Sequence, residues 1–339
     1  MSRRSALAAL LAVALLAPVA AGAQPSFKGK TVYLDIGPGT AGGGYDIAGR
    51  FIARHLAKHL PGNPTIVPQN VEGGSGLVLA NQLYSAGAPR DGTVVGMIAD
   101  NATLTELLGV QGVRYHVADY SWIGRIATAV DLTVTWYSAK AKTIDDAKKD
   151  TVLIAAGPQS GLAYQLPALV NAVVGTKFKL ITGYNGVIPM QLAMEKGETD
   201  GAFAEWTAFQ IVHGDWLRDK KINFLVQYAL ERDPDMPNVP TAIDLGRTEA
   251  DKQLLALGSA GASIGRTLLA PPGLPADVLK VWRDGFDEAM HDPELLAEAN
   301  QLKLFIAPLR GEALQELVTK LVKTPPAVLA RAKQILSSK

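Results

Sequence analysis

Gly37-Pro38-Gly39-Thr40-Ala41-Gly42-Gly43-Gly44-Tyr45-Asp46 follows the apolar run Thr31–Ile36 and leads into helical spacing over Ile47–Leu60. A strand that ends in a glycine turn and re-enters as a helix is the repeating step of an α/β protein. The step recurs three times. Asn70-Val71-Glu72-Gly73-Gly74-Ser75-Gly76 precedes Leu77–Ala86, Ala156-Gly157-Pro158-Gln159-Ser160-Gly161 follows Val152–Ala156, and Gly183-Tyr184-Asn185-Gly186 follows Phe178–Ile181. Glycine lets the main chain approach a ligand closely, and the helix that follows offers unpaired N–H groups and its positive dipole end. Each turn is therefore a potential anion cradle that needs no lysine or arginine. One helix end contributes only ~0.3–1 kcal/mol on a surface and ~2 when partly buried. Several converging in a dry cleft, with hydrogen bonds added, approach the roughly −8 kcal/mol of micromolar binding.

Outward from these turns, Pro64–Val67, Val94–Ala99, Leu132–Tyr137 and Asn223–Tyr228 also read as strands, and Gly76–Ala86, Ser160–Val174 and Val187–Lys196 as helices. From Pro275 onward the pattern is all helix, over Asp277–Met290, Pro293–Gln301, Glu312–Val322 and Ala327–Leu336. Such a tail has no sheet of its own and is expected to fold back on an earlier lobe. No Pro/Ser-rich linker divides the chain, so strands are expected to cross between lobes near Ile123–Tyr137 and Asn238–Ala270.

Arg3 and Arg4, the apolar run Ala6–Ala17 and the small-residue exit Ala21-Gly22-Ala23 have the three parts of a secretory signal peptide, residues 1–23. No cysteine follows it to carry a lipid, and no later stretch is apolar enough to span a bilayer. Removal of the leader leaves roughly 315 residues, enough for two domains with real cores. With no cysteine, disulfides and thiolate metal sites are excluded, and stability must come from burial. A net charge of +1, with acids and bases evenly spread, gives no footprint for nucleic acid or anionic membranes. An anionic ligand would have to be held by local groups.

Catalytic and cofactor patterns fail one by one. Gly37-x-Gly39-x-x-Gly42 has the dinucleotide spacing, but further glycines intervene before the helix, and an exported protein has no nicotinamide pool. No phosphate-binding Gly-Lys-Ser/Thr follows any of these turns, and no Gly-x-Ser-x-Gly and no Ser-x-x-Lys is present. His55 and His59 share a helix face at metal-ligand spacing, yet Arg54 and Lys58 flank them and no third ligand is near, which reads as a surface helix. His116, His213 and His291 are isolated. The expectation is no enzyme, no cofactor and no metal; an exported hydrolase is the alternative that a turnover screen would reveal.

Taken in order, the turns resemble the receptors of tripartite tricarboxylate transporters, the Bug/TctC family of periplasmic solute-binding proteins. Ala41-Gly42-Gly43-Gly44-Tyr45-Asp46 is similar to the family's Ala-Gly-Gly-x-x-Asp, and Asn70 to Gly76 to its Asn-x-x-Gly-Ala-Gly-Gly. Pro89-Arg90-Asp91-Gly92-Thr93, Tyr184-Asn185-Gly186, Gly197-Glu198-Thr199-Asp200, Met236-Pro237-Asn238-Val239-Pro240-Thr241 and Ala270-Pro271-Pro272-Gly273-Leu274-Pro275 continue the match along nearly the whole mature chain. The resemblance implies a Venus-flytrap fold of two α/β lobes with mostly parallel sheets and a helical C-terminal tail. One lobe would be 24–125 plus 240–339 and the other 126–239. A small organic acid would be held in the cleft of a monomeric, periplasmic receptor and passed to membrane permease subunits. Presentation to a membrane histidine kinase is compatible with the same fold. Carried over by position, the binding residues would be Thr40, Ala41, Gly42, Gly43, Gly44, Tyr45 and Asp46 on lobe one. Gly157, Gln159, Ser160, Gly161, Tyr184, Asn185 and Gly186 would face them from lobe two, with Asp100, Asn101, Glu205 and Trp206 as walls. Two features depart from the family pattern. The histidine usual near Pro158-Gln159 is missing, and Glu205-Trp206 places an acid and a large ring at the distal end.

Overall fold

A computed structural model of the chain describes residues 25–37, 41, 43–159, 161–184 and 186–337. The expected leader lies outside them, as do Thr40, Gly42, Ser160 and Asn185 of the expected site. Among the described residues eleven strands are formed: β1 (Thr31–Ile36), β2 (Thr65–Asn70), β3 (Val94–Met97), β4 (Ser121–Ala127), β5 (Asp131–Trp136), β6 (Val152–Ala155), β7 (Phe178–Ile181), β8 (Gly201–Glu205), β9 (Ile222–Tyr228), β10 (Arg266–Ala270) and β11 (Leu309–Arg310). They divide between two sheets, ordered β11-β4-β10-β3-β1-β2 and β7-β6-β8-β5-β9.

The helices fill the connections: α1 (Gly44–Leu56), α2 (Leu77–Tyr84), α3 (Ala102–Leu107), α4 (Ile144–Lys149), α5 (Leu162–Val174), α6 (Val187–Glu195), α7 (Trp206–Val212), α8 (Gly214–Arg218), α9 (Glu249–Ile264), α10 (Ala276–Met290), α11 (Pro293–Leu302), α12 (Gly311–Leu321) and α13 (Pro326–Ser337). In β1, Val32, Leu34 and Ile36 are fully buried while Thr31 and Tyr33 are exposed, the period-2 signature of a strand with one face on a core. Phe51, Ile52 and Leu56 bury the matching stripe of α1 against that sheet. In the second sheet, Leu132, Val134, Ile154 and Val226 share one core with Leu166 and Val170 of α5 and Leu254 and Leu255 of α9.

The chain passes from the first sheet to the second through residues 128–130, between β4 and β5, and returns through α9 into β10. The two crossings touch, since the Ala129 N–H donates to the Ala262 carbonyl at 3.1 Å. This produces a difference from the expected mostly parallel sheets. β1–β2, β1–β3, β6–β7 and β6–β8 are parallel, but β10 runs antiparallel to β3 and β4, and β5 antiparallel to β8 and β9. A strand entering a lobe directly from its neighbour starts at the boundary and runs away from it. The strand–helix–strand repeats end their strands there instead.

The C-terminal helices fold back as expected, on both sheets. Trp282 and Phe286 of α10 enter the core of the first, whereas Val328 and Ala332 of α13 join α5 and α9 in the core of the second. His55 and His59 do pair with other groups, but the groups are acids: Nε2 of His55 lies 2.7 Å from Glu298 and Nε2 of His59 lies 2.9 Å from Asp292. They tie α1 and the turn after it to α11.

Candidate functional site

A cavity of about 550 Å³ opens between the sheets, within the ordinary range for small-molecule sites. Three helices begin on it: α1 from the first lobe, at Gly43 and Gly44, and α5 and α6 from the second, at Leu162 and at Gly186 to Pro189. Their N-cap residues are Gly43, Gly161 and Gly186, and none supplies a side-chain cap. Elsewhere Thr143, Thr248 and Asp292 cap α4, α9 and α11 with their side chains. Among the described residues no side chain caps the first N–H groups of these three helices. Gly186 sits at φ +98, a conformation other residues avoid, so glycine is required for the chain to turn into α6 there.

The walls are mostly apolar, and some of the largest apolar groups stand open to solvent. Ile188 is 55% exposed, Val212 51% and Phe305 45%, and all three line the same cavity, so narrowing the cleft would cover them. Phe51, Phe203 and Ile126 lie deeper.

Four charged side chains break this lining: Asp100, Asp131, Glu205 and Arg266. Arg266 opens β10 at the return crossing, immediately after Gly265. Its Nη1 donates to Asp100 at 3.0 Å, and its guanidinium lies 3.9 Å from the centroid of the Tyr45 ring. The Tyr45 hydroxyl accepts the backbone N–H of Asp100 at 2.9 Å, closing a three-residue unit between α1, the end of β3 and the start of β10. A Cβ placed on Gly44 would stand 3.8 Å from Nη2 of Arg266, so guanidinium and helix start lie side by side. Burial works against the charge on Arg266, but Tyr45, Asp100, Glu205 and Asp131 outweigh it and hold the group above its ordinary value. Burial, then the charge of Asp100, pushes the Tyr45 hydroxyl up, keeping it neutral.

Asp131 and Glu205 face each other across β5 and β8 as directly opposed residues of an antiparallel pair. Like charges so placed destabilise a sheet. Asp131 is only 7% exposed and has no hydrogen-bond partner for its carboxyl group among the described residues. Burial first, then Asp100 and Glu205, raise its pKa well above the ordinary carboxylate value. Glu205 accepts the backbone N–H of Thr207 at 3.2 Å.

The expected site residues are thus distributed unequally. Gly43, Gly44, Tyr45, Asp100, Gly186 and Glu205 meet on the cavity, with Gly161 capping a helix that reaches it. Ala41 is exposed, and Asp46 is buried and paired with Arg50 at 2.7 Å. Asn101 lines a separate cavity of about 480 Å³ with Gly74, Ser75, Gly76 and Pro158. Gly157 is buried beside Ala163, Gln159 is exposed, and the Tyr184 hydroxyl meets Glu198. Trp206 packs edge-on to Phe224, with ring centroids 5.7 Å apart and its buried Nε1 unpartnered. Arg266 and Asp131 were not among the expected residues. The signal for each was a lone charge at the head of an apolar strand run.

No protein-family model and no curated protein matches the chain. Solved structures do. A TctC solute-binding protein from Polaromonas superposes with a TM-score of 0.65 at 19% identity, over 92% of this chain and 99% of that one. The periplasmic binding protein BugD gives 0.66 at 19% identity, over 90% and 97%. A Rhodopseudomonas palustris protein, MatC with bound malate, gives 0.64 at 18% identity, over 90% and 99%. The fold is therefore the two-lobed α/β fold of the TctC and Bug periplasmic binding proteins. None of the described helices is long and apolar enough to cross a membrane.

Proposed function

We propose that the chain is a periplasmic solute-binding receptor that captures a small organic acid between its lobes for a tripartite tricarboxylate-type transporter. The observation that carries the reading is the convergence of three helix starts without side-chain caps, from both lobes, on one cavity that also holds Arg266. Hydrogen-bond donors and positive dipole ends aimed at one space suit a carboxylate. The fold likeness to MatC, solved with malate, supports the same chemistry. On this reading residues 1–23 are a leader, and the first lobe is built from 24–125 and most of 240–339 around the first sheet. Residues 126–239, apart from Ile126 and Ala127 at the end of β4, form the second lobe, with α9 and α13 lying against it. Only a closed state contacts ligand from both lobes, so ligand shifts the population toward closure and the closed form docks on the permease. The protein binds and releases its ligand unchanged.

A thermal-shift screen of mono-, di- and tricarboxylates, aromatic acids and amino acids tests the proposal. A ligand at 100 times its Kd should stabilise the fold by roughly 2.7 kcal/mol. Stabilisation by sugars, nucleotides or simple cations alone would refute it.

A further inference from the structure

The cavity carries charge of both signs. The start of α1 lies beside the guanidinium of Arg266, and the opposed carboxyl groups of Asp131 and Glu205 line the same space within reach of its charge. Three acids and one base line the cavity, an excess that favours a ligand carrying a positive group over a simple anion. Arg266 gives its hydrogen bond to Asp100 and attracts Asp131 and Glu205 through space, so one cation serves three carboxyl groups. Asp131 is more than nine-tenths buried, lines the cavity and has no hydrogen-bond partner among the described residues. Buried polar groups left in this state call for a partner that the protein itself does not provide. The opposition of Asp131 and Glu205 is fixed by sheet register, so the two carboxyl groups are held near one another whether or not a ligand is present. Between two such groups the complementary occupant is a cation that can donate several hydrogen bonds, as a primary ammonium does. The remaining wall, with Phe51, Phe203, Ile47 and Ile188, is apolar.

We propose that the ligand is a zwitterion with an apolar body, of the amino-acid type. Its carboxylate sits at the start of α1 beside Arg266, its ammonium group lies against Asp131 and Glu205, and its side chain runs along the apolar wall. This rests on the organic-acid reading above and narrows it. The placement also reaches both connections between the lobes: Asp131 begins the strand after the first crossing and Arg266 the strand after the second, and a zwitterion bound to both touches each.

Matched compounds separate the two readings. Titration calorimetry on the mature protein would compare phenylalanine with 3-phenylpropanoate and 2-phenylethylamine, and leucine with 4-methylpentanoate and 3-methylbutylamine. At least one amino acid should bind about tenfold or more tightly than its acid lacking the amine. That advantage should vanish in Asp131→Asn and shrink in Glu205→Gln. Asp131→Asn relieves a like-charge pair, so it should melt no lower than the unsubstituted protein, which separates lost binding from lost folding. Equal or tighter binding of the deaminated acids would overturn the zwitterion proposal while leaving the organic-acid receptor standing. Binding of the amines alone would overturn both. If no member of either series binds below about 1 mM, while other carboxylates do, the zwitterion proposal also fails.

Discussion

Arg266→Met removes the cation that organises the charged part of the site while keeping the length of an unbranched side chain. The side chains of Arg266 and Asp100 are 12% and 10% exposed, so little solvent screens the 3.0 Å contact between them. Removing one partner of a buried pair costs about 3–5 kcal/mol, because the other charge is left without compensation. Asp100→Asn should be milder, about 1–2 kcal/mol, since a neutral amide can still accept from Arg266 and two other carboxyl groups remain near it. In the double variant no stranded charge remains. What is lost is the pair's net contribution together with the stacking of the guanidinium 3.9 Å from the Tyr45 ring centroid, a contact that contributes about 2 kcal/mol when desolvated. The double variant should therefore be more stable than the sum of the two singles by about 1–3 kcal/mol. Urea unfolding at pH 7, followed by tryptophan fluorescence, measures all four corners of this cycle. Equal m-values would confirm that the same surface is exposed in each. A cost below about 1 kcal/mol for Arg266→Met, or strict additivity, would refute the argument that Arg266 is held by a buried charge network.

Gly265, next in line, lies at φ +61, and a Cβ there would stand 2.1 Å from the Ala127 carbonyl oxygen. Gly265→Ala should cost more than about 2 kcal/mol in the same assay, and by displacing Arg266 it should weaken any carboxylate ligand as well. His213 stacks on Trp216 with ring centroids 3.7 Å apart, and its Nε2 meets the cavity-lining Gln191 at 2.8 Å. Burial lowers its pKa below the ordinary 6.5, so the unfolded chain takes up this proton first on acidification. Stability from this group is complete above pH 6.5 and falls as pH drops through 6.5 toward the folded value. Thermal melts at steps from pH 7.5 to 5 should show a decline that Asp/Glu titration does not explain, and His213→Gln should flatten it.

The glycine turns were legible in the sequence because strand–helix steps that end at the cleft carry their signal in consecutive residues. Gly43-Gly44-Tyr45 and Gly186-Val187 stand on the cavity for that reason, as does Glu205 at the end of β8. The same logic hid Arg266 and Asp131. Parallel α/β sheets place their ligands past the carboxyl ends of their strands. β5 and β10, however, are reversed by the crossings between lobes, so the residues they present to the cleft are their first and not their last. Both enter buried core at the next residue, Leu132 and Thr267, and a single charge at the head of such a run reads as a surface position until the topology is known. Misplacement of Trp206 and Tyr184 has a related cause. Each adjoins a turn at the cleft, but the strand pleat and the helix start send their rings to Phe224 and Glu198 instead. Register also creates the one local conflict that composition could not reveal, the opposition of Asp131 to Glu205. Two acids roughly seventy residues apart become cross-strand neighbours only when β5 reverses against β8, and a fold that tolerates like charges there gives up stability in the empty state. Consistent local choices elsewhere, from the capping boxes at Thr143 and Thr248 to the alternation in β1, make that opposition stand out, which is why the proposed ammonium subsite is placed there.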